Sequence, residues 1–174
     1  MNDRVLRFPY RGAPQTVEVI KAAALQSQND MNVRALAESV CEKLRAKDYL
    51  SEILAIANFV EANTRYMRDP RTVELVRSPN IVARQLMSGT IPQLDCDDMV
   101  ALLTGLFLSI GCSVRIVVVA FRNAFYKGQR QYSHVFVEAL EPRSGAWIAV
   151  DPVAGPNTAA MLKRGKAFKY WNVA

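Results

Sequence analysis

Cys96 is the residue of this sequence whose position best suits a nucleophile. It stands in the run Q-L-D-C-D-D-M-V, where the polar residues 90–95 lead into a strongly apolar stretch that predicts a helix over residues 96–110. A helix N-terminus presents free backbone N–H groups and partial positive charge, and both favour a thiolate over a thiol. A structural cysteine is expected in mid-helix on an apolar stripe, as Cys41 is, and Cys112 is expected in the core. Cys96 is therefore the candidate nucleophile.

His134 is the only histidine in the chain. It lies in Y-S-H-V-F-V, near the start of an alternating stretch, residues 132–140, that predicts an antiparallel strand. Asp151 ends the following predicted strand, residues 147–151, in W-I-A-V-D-P. Because the start of one strand lies opposite the end of the next in a hairpin, the two side chains meet if they share a face. Asp151 would then fix the imidazole tautomer and leave the other ring nitrogen for Cys96, which is the arrangement of a catalytic triad.

Three acids, Asp95, Asp97 and Asp98, flank the candidate nucleophile. Their carboxylates would raise the pKa of the Cys96 thiol and oppose the effect of the helix N-terminus. They also suit a structural role, in which Asp95 caps the helix and the other two fill its first turn, where acids are favoured. Both interpretations stand at this point.

The same residues offer an alternative as metal ligands, since cysteine, histidine and aspartate all bind zinc. The close ligand pairs typical of zinc sites, C-x-x-C or H-x-x-x-H, do not occur in the sequence. Calcium on the three aspartates is the other option, but the stretch lacks the glycine turn and distal glutamate of an EF-hand loop. We therefore expect neither a metal ion nor a cofactor.

The elements that must position these residues change type along the chain, from helices to strands. The apolar spacing and end signals predict a short edge strand over residues 4–8, then helices over residues 15–28, 33–44, 49–66, 80–87 and 96–110, and then strands over residues 113–121, 132–140 and 147–151. Asn32 is expected to cap the second helix, and Ser78 with Pro79 to begin the fourth. The buried stripe of the third helix is predicted to contain Leu50, Ile53, Leu54, Ala57 and Val60. The prediction is an α+β fold, with helices packed on a small antiparallel sheet.

A length of 174 residues suits one domain. We divide it into a helical N-terminal part (1–77), a core (78–152) that carries the candidate residues, and a basic tail (153–174). Apolar residues make up 51% and charged residues 22% of the chain, which is typical of globular proteins and excludes disorder or a coiled-coil rod.

The sparse and odd number of cysteines argues against a disulfide framework and fits a reducing compartment. The longest apolar stretch, residues 99–110, is shorter than the roughly 20 residues that a membrane span needs.

The net charge of +6 permits weak attraction to nucleic acid or acidic surfaces without indicating either. Basic residues cluster only in the tail, where aromatic residues interleave with Lys163, Arg164, Lys166 and Lys169. We expect a solvated end, although the aromatic residues also suit packing back on the domain or binding an anionic partner. We expect no membrane association, and nucleic-acid binding stays open only as a third alternative, which predicts a steep salt dependence of binding.

The three candidate residues fall within the runs D-C-D-D-M-V-A-L-L-T-G-L-F-L-S-I-G-C-S-V-R, Y-S-H-V-F-V-E and W-I-A-V-D-P-V. As a set, these runs resemble the transglutaminase-like superfamily of papain-type cysteine enzymes over residues 78–152. In that family a cysteine opens a core helix that ends in a leucine-glycine type of stop. A strand with a basic residue follows, a histidine precedes alternating strand residues, and an aspartate precedes proline. Those positions are here Cys96, Ile110-Gly111, Arg115, His134 and Asp151-Pro152. The upstream residues 56–66 and the Asp69-Pro70 pair resemble compact versions of this domain in bacteria and phages.

The resemblance implies acyl transfer on amide bonds of a protein or peptide substrate. The Cys96 thiolate would attack the carbonyl, and His134 would return the proton to the leaving amine. Water would then resolve the thioester in a protease or amidase, and a lysine amine would do so in a transglutaminase. The oxyanion donor is not obvious, since Gln93 and Gln85 are candidates by proximity and the backbone N–H of Cys96 is a third.

The resemblance to bacterial and phage domains also implies a location in the cytoplasm of a bacterium or of a phage-infected cell. It leaves an alternative of a different class open. The domain would then be a non-catalytic binding or assembly module that retains the fold, with phage structural proteins among its possible partners. The basic, aromatic tail is the feature that favours this alternative.

Overall fold

The computed structural model describes residues 5–9, 12–69 and 73–173. The described helices are α1 (Ala13–Ser27), α2 (Met31–Cys41), α3 (Tyr49–Asn63), α4 (Pro79–Met87), α5 (Cys96–Ser109) and α6 (Thr158–Arg164). The described strands are β1 (Val5–Pro9), β2 (Arg65–Tyr66), β3 (Val73–Arg77), β4 (Gln93–Leu94), β5 (Val114–Ala120), β6 (Phe125–Tyr126), β7 (Gln129–Arg130), β8 (His134–Glu141), β9 (Ala146–Val150) and β10 (Ala167–Asn172). The architecture is α+β, as the sequence predicts.

The helix α5 runs through the main core because nearly all of its side chains are apolar. Every residue from Met99 to Phe107 is buried, and α1 to α4 pack around this helix. Gly105 allows α4 to approach closely, since a Cβ atom at this position would lie 3.0 Å from Cβ of Pro79. Gly111 ends the helix in a left-handed conformation with φ of +80°, which favours glycine. The N-terminus of α5, which carries Cys96, is thereby fixed against the rest of the domain.

The second layer is an antiparallel sheet with the strand order β10-β5-β8-β9. Alternation along β8 places Val135, Val137 and Ala139 in the main core and Phe136 on the opposite face. Phe136 packs there in a second cluster with Met161 of α6. Both faces of β8 are therefore covered, which holds its first residue, His134, in a defined place.

Two predicted helices differ in their ends and faces. Asp30 rather than Asn32 caps α2, because the Asp30 carboxylate accepts the backbone N–H groups of Asn32 and Val33. The third helix ends at Asn63, three residues short of its predicted end, and Tyr66 belongs instead to β2, which pairs in parallel with β4. The pairing with β4 satisfies the backbone polar groups of β2. A helix that continued to Tyr66 could not make these interstrand hydrogen bonds.

The third helix also buries a different stripe from the predicted one. Leu50 and Leu54 are 44% and 45% exposed, whereas Ile56, which lies outside the predicted stripe, is fully buried. The helix is apolar on several faces, so spacing alone does not identify the face that packs. The contacts with α2 and α5 select Ile53, Ile56 and Val60.

The C-terminal stretch packs back on the domain rather than extending into solvent. It forms α6 and then β10, which pairs with β5 along its whole length. Phe168 joins the second cluster and Trp171 packs against the main core. The solvated end expected for this stretch is therefore wrong for Phe168 and Trp171, which pack on opposite faces of the edge strand.

Strand β3 has no counterpart in the sequence predictions, and it pairs with β1 in antiparallel register. Arg4, at the start of the predicted edge strand, and Pro70, in the Asp69-Pro70 pair, lie outside the described residues. Across the described ranges, no helix combines the length and the hydropathy that crossing a bilayer requires.

Candidate active site

His134 and Asp151 meet as the hairpin argument predicts. The register of β8 against β9 places the start of one strand beside the end of the other, and His134 Nε2 lies 2.6 Å from Asp151 Oδ2. The other oxygen, Oδ1, accepts the backbone N–H groups of Val153 and Ala154 at 3.0 and 3.2 Å. Asp151 is buried, so these donors compensate for its lost hydration. A carboxylate held in this way fixes the ring of His134.

The geometry also selects the tautomer of the imidazole. An ionised carboxylate only accepts hydrogen bonds, so the proton of a neutral His134 ring lies on Nε2 and is donated to Asp151. The Nδ1 atom is then free to accept a proton. Phe121 stacks on the ring, with centroids 6.3 Å apart and an interplanar angle of 22°, and further restricts its rotation.

Cys96 is the first residue of α5, as predicted, and its side chain is half-buried. Its Sγ–H group donates to Asp97 Oδ1 at 3.5 Å, and the backbone N–H of Val135 is directed at the sulfur. Val135 follows His134 directly, so the sulfur lies against the start of β8. Burial, and then the carboxylates of Asp97 and Asp95, raise the pKa of the Cys96 thiol well above its ordinary value. These effects favour the thiol form of Cys96 over the thiolate.

A cavity of about 630 Å³ brings the two reactive side chains together, because Cys96 and His134 both line it. We call it the sulfur-side cavity, and Tyr132 also contributes to its wall. Its volume is in the range of pockets that bind small ligands or a peptide segment. The side chains of Cys96 and His134 therefore border the same space.

A family model described as the transglutaminase-like superfamily matches residues 34–152. The chain belongs to the transglutaminase-like superfamily. The matched stretch contains Cys96, His134 and Asp151, and it begins well before the 78–152 region over which the sequence motifs resemble the family. No curated protein sequence matches this transglutaminase-like chain significantly.

Solved structures share the fold of this transglutaminase-like chain at low sequence identity. A structure named as a putative protease from Parabacteroides distasonis has a TM-score of 0.60 and 13% identity, over 94% of this chain and 30% of that one. A structure named as a putative cysteine protease from Cytophaga hutchinsonii has a TM-score of 0.47 and 16% identity, over 96% of this chain and 54% of that one. The transglutaminase-like chain thus spans less than two thirds of either protein, and the first likeness supports the fold.

The three acids around the nucleophile fill the structural role that the sequence analysis describes. Asp95 caps α5 by accepting the N–H groups of Asp97 and Asp98 at 3.0 Å each, and the other two acids lie in the first turn. Asp98 is fully buried and pairs with Arg77. Burial raises the pKa of Asp98 to about 6, although the hydrogen bonds and charge of Arg77 oppose this shift.

The acids also have the electrostatic effect expected on the thiol. Burial, and then the neighbouring carboxylates of Asp98, Asp69 and Glu74, raise the pKa of Asp95 to about 7. Burial, Asp95 and a hydrogen bond with Glu74 raise the pKa of Asp97 well above its ordinary value. Asp97 therefore lies against Glu74, and this contact favours the protonated form of Asp97.

Carboxylate oxygens of Asp69, Glu74 and Asp95 lie within 4.8 Å of one another, which is the spacing of possible ligands for a cation. This is the group of possible metal ligands among the described residues, and it includes neither Cys96 nor His134. The Asp95, Asp97 and Asp98 combination considered for calcium is therefore not the set that the fold brings together. Asp97 instead accepts a hydrogen bond from the Cys96 thiol, and Asp98 pairs with Arg77.

The two glutamines considered as oxyanion donors lie apart from the described lining of the sulfur-side cavity. Gln93 is exposed on β4, and its backbone carbonyl accepts a hydrogen bond from Arg77. Gln85 lies in α4, and its buried Oε1 atom has no hydrogen-bond partner among the described residues. The backbone N–H of Cys96 is not among the amides that Asp95 accepts, so it is available in the first turn of α5.

Sequence reasoning missed several residues that line the sulfur-side cavity, namely Tyr66, Arg68, Asp69 and Glu74. The apolar spacing predicts Tyr66 as the end of the third helix, and it predicts no strand at Glu74. The pairing of β2 with β4 carries Tyr66 beside Leu94, two residues before the nucleophile. Only long-range strand pairing creates this proximity, and single-sequence periodicity does not reveal it.

Proposed function

We propose that the chain is a cysteine-dependent acyl-transfer enzyme that acts on amide bonds, with Cys96 as nucleophile, His134 as base and Asp151 as the residue that orients the base. The observation that carries the proposal is the hydrogen bond between His134 Nε2 and Asp151 Oδ2, in a ring that shares a cavity with the sulfur. Membership of a family of cysteine enzymes supports the same reaction class.

The first half of the reaction forms a thioester. The proton of the Cys96 thiol passes to Nδ1 of His134, and Sγ attacks the carbonyl carbon of the amide. The oxygen of the tetrahedral intermediate carries the negative charge, and the backbone N–H of Cys96 is the donor that α5 offers to it. The C–N bond then breaks, and the proton on His134 moves to the leaving amine.

The second half resolves the thioester. Water or an amine gives a proton to Nδ1 of His134 as its oxygen or nitrogen attacks the acyl carbon, and the C–S bond breaks. The proton returns from His134 to the sulfur, which restores the resting thiol. Water as the acceptor makes the enzyme a protease or amidase, and a lysine amine makes it a transglutaminase.

The high pKa of the Cys96 thiol shapes the first step. Since burial and the neighbouring carboxylates favour the thiol, and its hydrogen is directed to Asp97, we expect the proton transfer to His134 to take place when substrate is bound. We expect general-base activation in the complex rather than a stable thiolate–imidazolium pair in the free enzyme.

The test compares the wild-type chain with Cys96→Ala, His134→Ala and the control Cys112→Ala. Each protein is incubated with a fluorogenic peptide-amide library, and separately with casein and a dansylated primary amine. We expect release or incorporation of label by the wild type and the control, and a loss of about 10³-fold or more in the two triad variants. Equal rates in wild type and Cys96→Ala would overturn the proposal.

The non-catalytic assembly module remains the alternative of a different class. The tail that favoured it is an edge strand whose Tyr170 stacks on Arg115, with the guanidinium 4.6 Å from the ring centroid. The aromatic residues of the tail therefore have partners within the domain. Inactivity on every peptide and amine, in wild type as in Cys96→Ala, would favour this alternative.

A further inference from the structure

His134 also borders a second cavity, on its Asp151 side. We call it the arginine-side cavity; its volume is about 900 Å³, and it shares Tyr66, Arg68, Ser133 and His134 with the sulfur-side cavity. The two cavities form one cleft that passes over the imidazole. An extended peptide whose scissile carbonyl lies at Cys96 therefore continues into the arginine-side cavity.

The charge of the arginine-side cavity is positive. Arg68, Arg122 and Arg164 line it, and its acid among the described residues is Asp151. The oxygens of Asp151 are buried and already engaged by His134 and by two backbone N–H groups. This carboxylate therefore does not neutralise the arginines at the surface of the cavity.

Arg164 is held beside the catalytic histidine by a short stack of rings. Its guanidinium lies 5.8 Å from the centroid of Phe121, and Phe121 stacks on His134. Arg122 follows Phe121 in the chain and is exposed. Among the described residues, neither Arg122 nor Arg164 has a carboxylate partner in a salt bridge. Their planar, permanently charged groups match the geometry of a ligand carboxylate.

From this juxtaposition we infer that the arginine-side cavity is a subsite for an acidic side chain of the substrate, with Arg122 and Arg164 as the residues that recognise it. The inference rests on the proposed function, because it places the acid a few residues from the bond that Cys96 attacks. It assigns a substrate class, a peptide with glutamate or aspartate on one side of the reacting amide.

The opposite charge of the other cavity makes the recognition directional. Four acids, Asp69, Glu74, Asp95 and Asp97, line the sulfur-side cavity, where they outnumber the shared Arg68 and disfavour an anion. A nucleic acid, whose charge repeats along its whole length, would meet these acids as it crossed His134. A peptide with acids on one side only can place them beside the arginines and keep them away from the acidic cavity. We therefore favour an acidic peptide over a nucleic acid.

The experiment measures binding by the Cys96→Ala chain, which separates recognition from turnover. The probes are fluorescein-labelled alanine–glutamine octapeptides that carry two glutamates at one end, at the other end, or at neither. Fluorescence anisotropy at low salt gives the dissociation constants. We expect one glutamate peptide to bind about fivefold tighter than the neutral peptide, as two exposed ion pairs would allow.

The matched variants locate the effect. Arg122→Gln combined with Arg164→Gln should reduce the glutamate preference to less than twofold. The control variant Lys163→Gln removes one positive charge from an exposed residue of α6 that lies outside the cavity. It should retain the glutamate preference. Thermal melting verifies that the double variant is folded. A preference that survives in the double variant, an equal loss in Lys163→Gln, or tighter binding of a single-stranded oligonucleotide would overturn the inference.

The outcomes distinguish this inference from the proposed function. Cleavage of neutral peptides by the wild type without any glutamate preference would contradict the acidic subsite and support the acyl-transfer function. Arginine-dependent glutamate binding by a chain that turns over no peptide or amine would support the acidic subsite and contradict the acyl-transfer function.

Discussion

The two cavities that meet at His134 place the same type of side chain in opposite environments. On the arginine side, Asp151 is buried but receives a histidine and two backbone N–H groups. On the sulfur side, Asp95 and Asp97 are also buried, and other carboxylates lie around them. Burial is therefore common to both sides, and Asp95, like Asp151, accepts two backbone N–H groups. The difference lies in the other neighbours, which are a histidine at Asp151 and further carboxylates at Asp95 and Asp97.

This difference assigns different tasks to identical residues. A carboxylate with three donors can hold an imidazole in one orientation and stabilise its protonated form. Carboxylates that crowd one another retain protons, and the pKa of Asp95 is raised to about 7 by burial and by Asp98, Asp69 and Glu74. The arginine side thus fixes the imidazole of His134, whereas the sulfur side favours the thiol form of Cys96.

The largest expected effect comes from removing the charge on the arginine side with Asp151→Asn. Because Oδ1 accepts two backbone N–H groups, the new side chain keeps its oxygen there and turns its NH₂ group towards His134 Nε2. The ring must then carry its proton on Nδ1, where it cannot accept the proton of the thiol. We expect turnover to fall by about 10³-fold, measured with the peptide-amide substrates.

The matched change is the substitution of Asn for another buried aspartate, Asp30→Asn, at the cap of α2. It alters neither cavity, and turnover should remain within about twofold of wild type, because Asn is also a good cap. Near-normal turnover in Asp151→Asn would show that the amide flips and that the two backbone donors do not fix its orientation.

The second effect is on stability and comes from the sulfur side. Because the pKa of Asp95 is raised from its ordinary value of 3.8 to about 7, the folded chain holds a proton between these pH values that the unfolded chain releases. The native state binds more protons, so the free energy of unfolding falls as the pH rises through this range. Asp95→Asn keeps the cap and removes this titration. We expect it to add about 2 kcal/mol of stability at pH 8 and to flatten the profile.

Urea unfolding at several pH values between 4 and 8 measures this effect. Asp30→Asn again supplies the control, as a cap outside the acidic cluster, and it should leave the slope of the profile unchanged. An Asp95→Asn profile as steep as that of the wild type would show that the carboxylates on the sulfur side do not crowd one another.

The same contrast explains which parts of the site could be predicted from the sequence. The pairing of His134 with Asp151 depends on two adjacent strands and the period of two, which are local properties. Cys96 follows from a helix start that polar and apolar residues mark clearly. Tyr66 and Glu74 line the sulfur-side cavity because they lie on β2 and β3. These strands pair with strands that are distant in the sequence, so periodicity carries no signal for the two residues.

The fold shows the same division between local and distant information. The helix α5 and strands β5, β8 and β9 were predicted within a few residues, because their apolar patterns are strong. The stretch that forms β10 was expected to be solvated because its charges are conspicuous. Its pairing with β5, and the contact of Trp171 with the core, outweigh that pattern. Charged residues on an edge strand can remain in solvent while alternate side chains pack.

The smallest expected effect concerns the reactivity of the sulfur. Asp97→Asn removes the carboxylate that accepts the Cys96 Sγ–H and is the second cause, after burial, of the raised pKa of that thiol. The amide can also donate to the sulfur and so favour the thiolate. We expect Cys96 to react several-fold faster with iodoacetamide at pH 7 to 8, with the site of alkylation identified by mass spectrometry.

Cys112 serves as the internal control, because it lies near Ser113 and Leu140, away from Asp97, and its alkylation rate should not change. An unchanged rate at Cys96 would show that burial alone sets its pKa. A faster alkylation combined with slower turnover would show that Asp97 assists the bound complex, since a more reactive sulfur should otherwise speed the first step. Faster alkylation with equal or faster turnover would confine the role of the acids to the resting enzyme, and only Asp151 would then act during the reaction.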